Sequence, residues 1–113
     1  MRKFIIFAAV GAAASIAASH DVRAADAVPK FDIAKICKAE TAETVGIGET
    51  LASCTKAEEQ ARAQVAGQWS KFTAKDKAAC ISESSIDGTP SYVELQTCLE
   101  MAADAHATTA ARK

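Results

Sequence analysis

The chain lacks the short motifs on which most cysteine, metal and phosphate chemistry depends. Its four cysteines are separated by 16, 25 and 17 residues, so there is no Cys-x-x-Cys pair for a thiol oxidoreductase and no Cys-x-x-Cys-His for haem attachment. The close cysteine pairs of a structural zinc site are missing as well. No glycine-rich phosphate loop occurs in the sequence. We therefore predict no metal site and no cofactor.

Groups suited to acid–base or nucleophilic catalysis are also scarce. After the first 24 residues the only histidine is His106, which is too close to the C-terminus to serve readily as the base for a serine nucleophile. Glu83 and Asp87 have the spacing of residues on a solvated helix face. Glu94 and Glu100 are likewise spaced as surface carboxylates and not as a buried pair. We predict a protein without catalytic residues, and therefore not an enzyme.

No uncharged stretch is long enough to cross a bilayer comfortably. Residues 4–19 contain no charge, whereas a transmembrane helix needs about 20 apolar residues. The stretch follows a basic start at 1–3 and precedes a small-x-Ala sequence, which is the order of regions in a secretory signal peptide. We predict a signal peptide over residues 1–24, cleaved after Ala24 or alternatively after Ala27, and a periplasmic or secreted protein.

The chain also lacks a surplus of positive charge. It carries 13 Lys and Arg against 14 Asp and Glu, and cleavage after residue 24 would remove three basic residues and one acidic residue, which leaves a net charge near −3. A nucleic-acid-binding protein needs a clustered basic face, and adhesion to anionic lipid needs a polybasic patch. We predict no nucleic-acid partner and no stable membrane anchoring after cleavage.

The remaining chain, residues 25–113, is predicted to be a single small domain with an ordered core at about 31–105. A domain of this size buries little apolar surface, and disulfide bonds commonly compensate in oxidising compartments. We therefore expect all four cysteines to form disulfides. The aromatic residues of the domain are Phe31, Trp69, Phe72 and Tyr92.

Amphipathic periodicity and helix-start signals predict an all-α fold, a small bundle of three to four helices joined as hairpins. In the first helix Asp32 is a suitable N-cap, and the apolar spacing fades after Glu40. Residues 41–49 contain two glycines and several β-branched residues, which favours a loop. A short strand near Val45 and Ile47 is the alternative.

The second helix is predicted to be the longest, and its cap is either Thr50 or Thr55. Glu58 and Arg62 lie one turn apart on its polar face, where an ion pair is expected. Gly67 weakens a helix, so we expect the close approach of another helix at that point. The apolar stripe, including a core Trp69, consists of Leu51, Cys54, Ala61, Val65, Trp69 and Phe72.

The third and fourth helices are predicted to form a hairpin around the turn Asp87-Gly88. Thr73 caps the third helix, which ends near Ser84. Ser91 begins a capping box with Glu94, and the fourth helix runs to about Ala105 before the chain frays. The residues expected to face inward are Ala78, Cys80 and Ile81 on the third helix, and Leu95, Cys98, Leu99 and Ala102 on the fourth.

Four cysteines allow three pairings, and helix geometry favours one of them. In a tight hairpin of the second and third helices at Thr73, Cys54 would lie about 28 Å from the turn and Cys80 about 10 Å. That difference is awkward for a disulfide, whose Cα atoms lie within about 7 Å. We predict the pairs Cys37–Cys54 and Cys80–Cys98, each of which flanks a turn. Cys37–Cys98 with Cys54–Cys80 is the main alternative.

The chain resembles small exported four-cysteine proteins of proteobacteria over most of residues 31–102. The resemblance implies export and a fixed cysteine pattern, and it brings no activity, cofactor or catalytic residue. The sequence runs that carry it, after the signal peptide, are Phe31-Asp32-Ile33 before a cysteine, Trp69-x-x-Phe72, Cys80, and Ser91-Tyr92-Val93-Glu94-Leu95-x-x-Cys98-Leu99.

Two functions fit these features. The first is a small periplasmic or secreted interaction or structural module without enzymatic activity, whose partner is an envelope or periplasmic protein. The alternative is a carrier of a small apolar ligand in a cavity between the helices. A packed interior of Trp69, Phe72, Leu95 and Leu99 favours the first function, and a dry cavity of roughly several hundred Å³ favours the second.

Overall fold

The described residues of a computed structural model, 27–43 and 50–113, form α-helices and no strand, which confirms the predicted all-α fold. The predicted signal peptide and the alternative strand lie outside these residues. The helices are α1 (Ile33–Glu43), α2 (Leu51–Gln68), α3 (Ala74–Glu83) and α4 (Tyr92–Ala111), with a short 3-10 turn, η1 (Trp69–Lys71), after α2.

The starts of α2 and α3 are fixed by threonine side chains, as the sequence indicates. The hydroxyl of Thr50 accepts a hydrogen bond from the amide of Ser53 at 3.1 Å. Thr73 does the same for the amide of Asp76, also at 3.1 Å. The first amides of a helix have no partner within the helix, so each hydroxyl satisfies one of them. The earlier of the two predicted starts of α2 is therefore confirmed.

Three helix ends differ from the prediction. The first helix continues to Glu43, past the expected end at Glu40, and α4 continues to Ala111, past Ala105. The last turns of α4 are rich in alanine, the residue with the highest helix propensity. Conversely, α2 ends at Gln68, because the chain tightens into η1 before reaching Phe72.

The core lies mainly between α2 and α4, which pack together more extensively than any other pair of described elements. Trp69 is buried, with 7% of its surface exposed, which confirms its predicted role in the core. Two predicted core positions are wrong: Leu51 is 55% exposed, and Ala78 faces solvent. The buried cluster consists of Ala61, Val65, Trp69, Cys80, Tyr92, Leu95 and Leu99.

One buried residue on α3 is a lysine whose burial the helical periodicity does not predict. Lys77 lies with its ammonium 4.9 Å from the centre of the Trp69 ring. A cation over an indole face is attracted to it, and the lysine stem adds apolar cover. Lys77 is consequently only 8% exposed.

Both disulfides join the cysteines that the sequence favours. Cys37 pairs with Cys54 and Cys80 with Cys98, at Cα separations of 5.6 and 5.5 Å. The tight hairpin of the second and third helices is not formed, because α2 packs on α1 and α4, and no packing of α2 against α3 occurs among the described elements. We refer to α1 with α2 as the first hairpin and to α3 with α4 as the second hairpin.

Gly67 lies near the end of α2 and does not serve the close helix approach predicted for it. A Cβ atom built at this residue has no heavy atom within 4 Å. The residue is exposed, and its φ is not in the left-handed region. Neither packing nor backbone conformation requires a glycine here.

The residues before α1 are held against the second hairpin by Tyr92. Its hydroxyl donates a hydrogen bond to the carbonyl of Pro29 and accepts one from the amide of Phe31, both at 2.8 Å. The rings of Phe31 and Tyr92 also stack with centroids 4.7 Å apart. Tyr92 itself is buried, so this segment closes one side of the core.

Candidate functional site

The charged residues of the chain are distributed unevenly. Between Ala78 and Ala111 the sequence has no lysine or arginine. The same stretch, which comprises most of the second hairpin, contains the carboxylates Glu83, Asp87, Glu94, Glu100 and Asp104. The two lysines of the second hairpin, Lys75 and Lys77, both precede this stretch at the start of α3, so the charged side chains from Glu83 to the end of α4 are mainly carboxylates.

An open groove of about 300 Å³ runs along this acidic part of the molecule, between the end of α3 and one face of α4. Val93, Thr97 and Met101 are four residues apart, which places them in one row on the helix. Met101 is 67% exposed and Val93 is 42% exposed. We call this the α3–α4 groove. Its lining residues are Glu83, Ser84, Val93, Glu94, Thr97, Cys98 and Met101.

Glu94 is the carboxylate most affected by its surroundings in this groove. Partial burial raises the pKa of the Glu94 carboxyl, and the nearby carboxylates of Asp87 and Glu58 raise it further. None of the residues that line the groove is cationic. Within the described part of the chain, the one ion pair joins His106 to Asp76, neither of which lines the groove.

Glu58 is a buried carboxylate that the helical pattern wrongly predicts to be exposed. It belongs to α2 and is only 2% exposed, although the periodicity assigned it to the polar face in an ion pair with Arg62. That predicted pair does not occur. The carboxylate instead accepts hydrogen bonds from the hydroxyl of Ser91 at 2.6 Å and from the amide of Tyr92 at 2.7 Å.

These two bonds place a carboxylate of the first hairpin at the N-terminus of α4. A negative charge is stabilised there by the helix dipole and by the amides that lack helical partners. Ser91 completes the cap, since its hydroxyl also accepts from the amide of Glu94 at 3.3 Å. The sequence does contain a signal for this burial, because Cys54, Glu58 and Ala61 follow one another at helical spacing on the buried stripe.

A second groove, of about 270 Å³, adjoins the first. Glu58 and Ser91 line it together with Val93 and Glu94, which both grooves share. The two grooves therefore form one continuous surface, which contains the carboxylates of Glu58 and Glu94 near the start of α4 and that of Glu83 at the end of α3. Its apolar part is supplied by Val93 and Met101.

His106, the candidate base in the sequence, lies within α4 and not in a frayed end. Its Nε2 is 2.8 Å from a carboxylate oxygen of Asp76 at the start of α3. The hydrogen bond from the Thr73 hydroxyl lowers the pKa of Asp76 below its ordinary value, and His106 lowers it further. The contact joins the two helices of the second hairpin on their exposed side.

Within residues 27–43 and 50–113, no three His, Cys, Asp or Glu side chains come together as a metal-ion site. All four cysteines are in disulfides. None of the described helices combines the length and apolarity needed to span a membrane. Comparisons of the chain with protein-family models, curated proteins and solved structures found no significant match.

Proposed function

We propose that the protein is a small periplasmic or secreted interaction module without enzymatic activity, which binds a partner protein through the α3–α4 groove and its acidic surroundings. The observation that carries the proposal is the exposure of Val93 and Met101 in an open groove beside Glu83 and Glu94. Exposed apolar side chains with a polar rim are characteristic of interaction sites.

The scaffold supports this function because it is rigid where the groove is formed. Each hairpin contains its own disulfide, and the interior is filled by Trp69, Leu95 and Leu99, with Phe72 packed against them. A surface held in one conformation loses little entropy when a partner binds. The packed interior is the arrangement that favours an interaction module over a carrier with an internal chamber.

The proposed compartment rests on the cysteines and on the signal peptide predicted at residues 1–24. Disulfides persist in the periplasm and outside the cell, whereas cytosolic thiols are kept reduced. A chain of this size with two structural disulfides is therefore suited to an oxidising environment.

The proposal is tested by expressing the full chain, recovering the exported protein and crosslinking it in intact cells before affinity capture. We expect a partner that is recovered reproducibly and that recovers this protein in the reciprocal experiment. Beads without protein and a disulfide-reduced, unfolded sample are the controls. Absence of any reciprocal partner from every envelope and secreted fraction would contradict the proposed function.

A further inference from the structure

We propose that the α3–α4 groove binds a cationic amphipathic peptide segment of the partner, with an apolar side chain against Val93 and Met101 and Lys or Arg side chains beside Glu83 and Glu94. The inference rests on the proposed function and specifies the chemistry of the partner. Its basis is the coincidence, in one groove, of exposed apolar side chains and carboxylates without a cation.

The charge of the groove determines the sign of its ligand. Among the described residues that line it, only Glu83 and Glu94 have ionisable side chains. From Ala78 to Ala111, a stretch that includes all of α4, the chain supplies no lysine or arginine, and no cation is among the groups that shift the pKa of Glu94. Glu94 is additionally exposed to the like charges of Asp87 and Glu58. A lysine or arginine from a partner would relieve this repulsion.

The apolar row distinguishes a peptide from a small cation. Val93 and Met101 are eight residues apart on α4, which corresponds to about 12 Å at 1.5 Å per residue. A metal ion or an ammonium group would occupy one point of that length and would leave both side chains exposed. A peptide with an apolar residue between basic ones contacts the whole row. The flexible Met101 side chain can adapt to partners of different shape.

The walls of the groove are already in place before a ligand binds. Cys98 lines the groove and is joined to Cys80 of α3, so the disulfide fixes the distance between the two helices. The Ser91 cap and the Glu58 carboxylate hold the start of α4. The groove therefore needs no large rearrangement to accept a helical or extended segment.

The experiment is a fluorescence-anisotropy titration of the oxidised, exported protein with a labelled peptide composed of Lys and Leu in an amphipathic helical repeat. We expect saturable binding that weakens as salt is added. The double substitution Glu83→Gln with Glu94→Gln should weaken binding about fivefold or more. Asp32→Asn with Glu59→Gln removes the same charge from the first hairpin, away from the groove, and should change binding less than about twofold.

A second variant tests the apolar contact independently of charge. Met101→Gln keeps the length and helix propensity of the side chain, and we expect it to weaken peptide binding about threefold. Leu51→Gln is the matched control, because Leu51 is similarly exposed but lies at the start of α2. Circular dichroism melting of all four variants verifies that each is folded.

Several results would overturn the inference. If the two double charge variants lose peptide affinity equally, the peptide is attracted to the acidic protein in general and not to the groove. If a peptide of Lys and Ser binds as tightly as the peptide of Lys and Leu, the site binds polycations without an apolar contact. Displacement of the peptide by micromolar calcium would identify an ion site, and sedimentation as a dimer that excludes the peptide would identify a second copy as occupant. Absence of saturable binding would overturn it directly.

The failure of this inference can be separated from failure of the proposed function. If the wild-type protein captures a reciprocal partner, and Glu83→Gln with Glu94→Gln captures it equally well, the groove assignment is wrong and the function stands. If no reciprocal partner exists for the wild-type protein, the proposed function fails whatever the synthetic peptide does.

Discussion

The two hairpins are crosslinked in nearly the same way, yet the disulfides occupy different environments. The cysteines of each pair are 17 and 18 residues apart in sequence. In the first hairpin, Cys37 and Cys54 are both buried. In the second hairpin Cys80 is buried, whereas Cys98 is half-buried and lines the α3–α4 groove. The disulfide is therefore part of the interior in the first hairpin, whereas in the second hairpin it lines a surface groove.

The hairpins also differ in charge. Lys35, Lys38, Lys56 and Arg62 are interspersed with carboxylates on the first hairpin, whereas the second carries no lysine or arginine from Ala78 to Ala111. Mixed charges give a solvated surface without a strong net field, and charges of one sign attract partners of the opposite sign. The difference in charge is consistent with the proposed function, in which the second hairpin binds the partner and the first supports it.

The largest expected effect comes from removing either disulfide by double substitution to Ala. In the chain-entropy model, each loop contributes about 3 kcal/mol to the free energy of unfolding, so each double variant should melt about ten degrees lower or more. We expect the larger loss for Cys37 with Cys54, since both sulfur atoms also fill the interior.

Thermal unfolding of the two double variants tests this difference, with mass spectrometry to verify that the remaining pair stays oxidised. A larger fall in melting temperature for Cys80 with Cys98 would contradict the expectation that the more deeply buried disulfide contributes more to stability. The rate of reduction is a further measurement. We expect Cys80–Cys98 to be reduced first, because attack by a thiolate requires an accessible sulfur.

The next effect concerns the contact that joins the hairpins. Glu58→Gln replaces one of two accepting oxygens by an amide nitrogen, so either Ser91 or Tyr92 loses its acceptor in a buried site. We expect a loss of about 1–3 kcal/mol in the free energy of unfolding, measured by urea denaturation. Glu59→Gln, on the adjacent exposed residue, should change it by less than about 0.5 kcal/mol. If Glu58→Gln and Glu59→Gln change the free energy of unfolding equally, the buried contact of Glu58 does not stabilise the fold.

A smaller effect, of opposite sign, is expected in the first hairpin. Gly67→Ala adds a methyl group in open space at a residue with ordinary helical backbone. Alanine restricts the unfolded chain and favours the helix, so stability should rise by about 0.5 kcal/mol. Gly88 has a φ of 80°, and Gly88→Ala should destabilise because that conformation is strained for other residues. A loss of stability in Gly67→Ala would mean that α2 needs flexibility there.

The smallest expected effects concern the pH dependence of stability. They come from Asp76 and Glu94, the third residues of α3 and α4. The pKa of Asp76 is lowered and that of Glu94 is raised. Ionised Asp76 therefore stabilises the fold above about pH 4, and this contribution is lost as the pH falls through its lowered pKa. Ionised Glu94 has the opposite effect: its penalty is absent below about pH 4 and develops as the pH rises through its raised pKa.

Carboxyl-carbon NMR titration measures both values directly. Asp76→Asn should lower the melting temperature at pH 7, and Glu94→Gln should raise it slightly, with both differences disappearing in acid. A pKa of Glu94 at or below that of an ordinary glutamate would contradict the partial burial of this carboxyl and the like charges of Asp87 and Glu58 beside it.

The local parts of this structure were predictable because nearby residues determine them. Thr50 and Thr73 cap helices through amides three residues away, and the disulfides close loops within single hairpins, so spacing was sufficient. The pairing was correct even though α2 and α3 do not form the expected hairpin. Glu58 was not recognised, since its partners Ser91 and Tyr92 are more than 30 residues away in sequence.

The α3–α4 groove could not be predicted from the sequence for a similar reason. Its walls come from α3 and α4, and the packing of these two helices leaves Cys98 half-buried and Met101 largely exposed. Helical periodicity places Cys98 on the same stripe as Leu95 and Leu99, both of which are buried. The absence of lysine and arginine from 78 to 111 was visible in the sequence, and it becomes informative once Glu83 and Glu94 are known to line one groove.

The order of the disulfides along the chain has a consequence for how the protein matures. Cys37 bonds to Cys54 and Cys80 to Cys98, so each cysteine pairs with its immediate neighbour in sequence and the two bridges neither cross nor enclose one another. A chain that enters an oxidising compartment from its N-terminus presents the cysteines in that same order. An oxidant that joins each newly arrived cysteine to the preceding free one produces the native pairs directly, without a later exchange of partners.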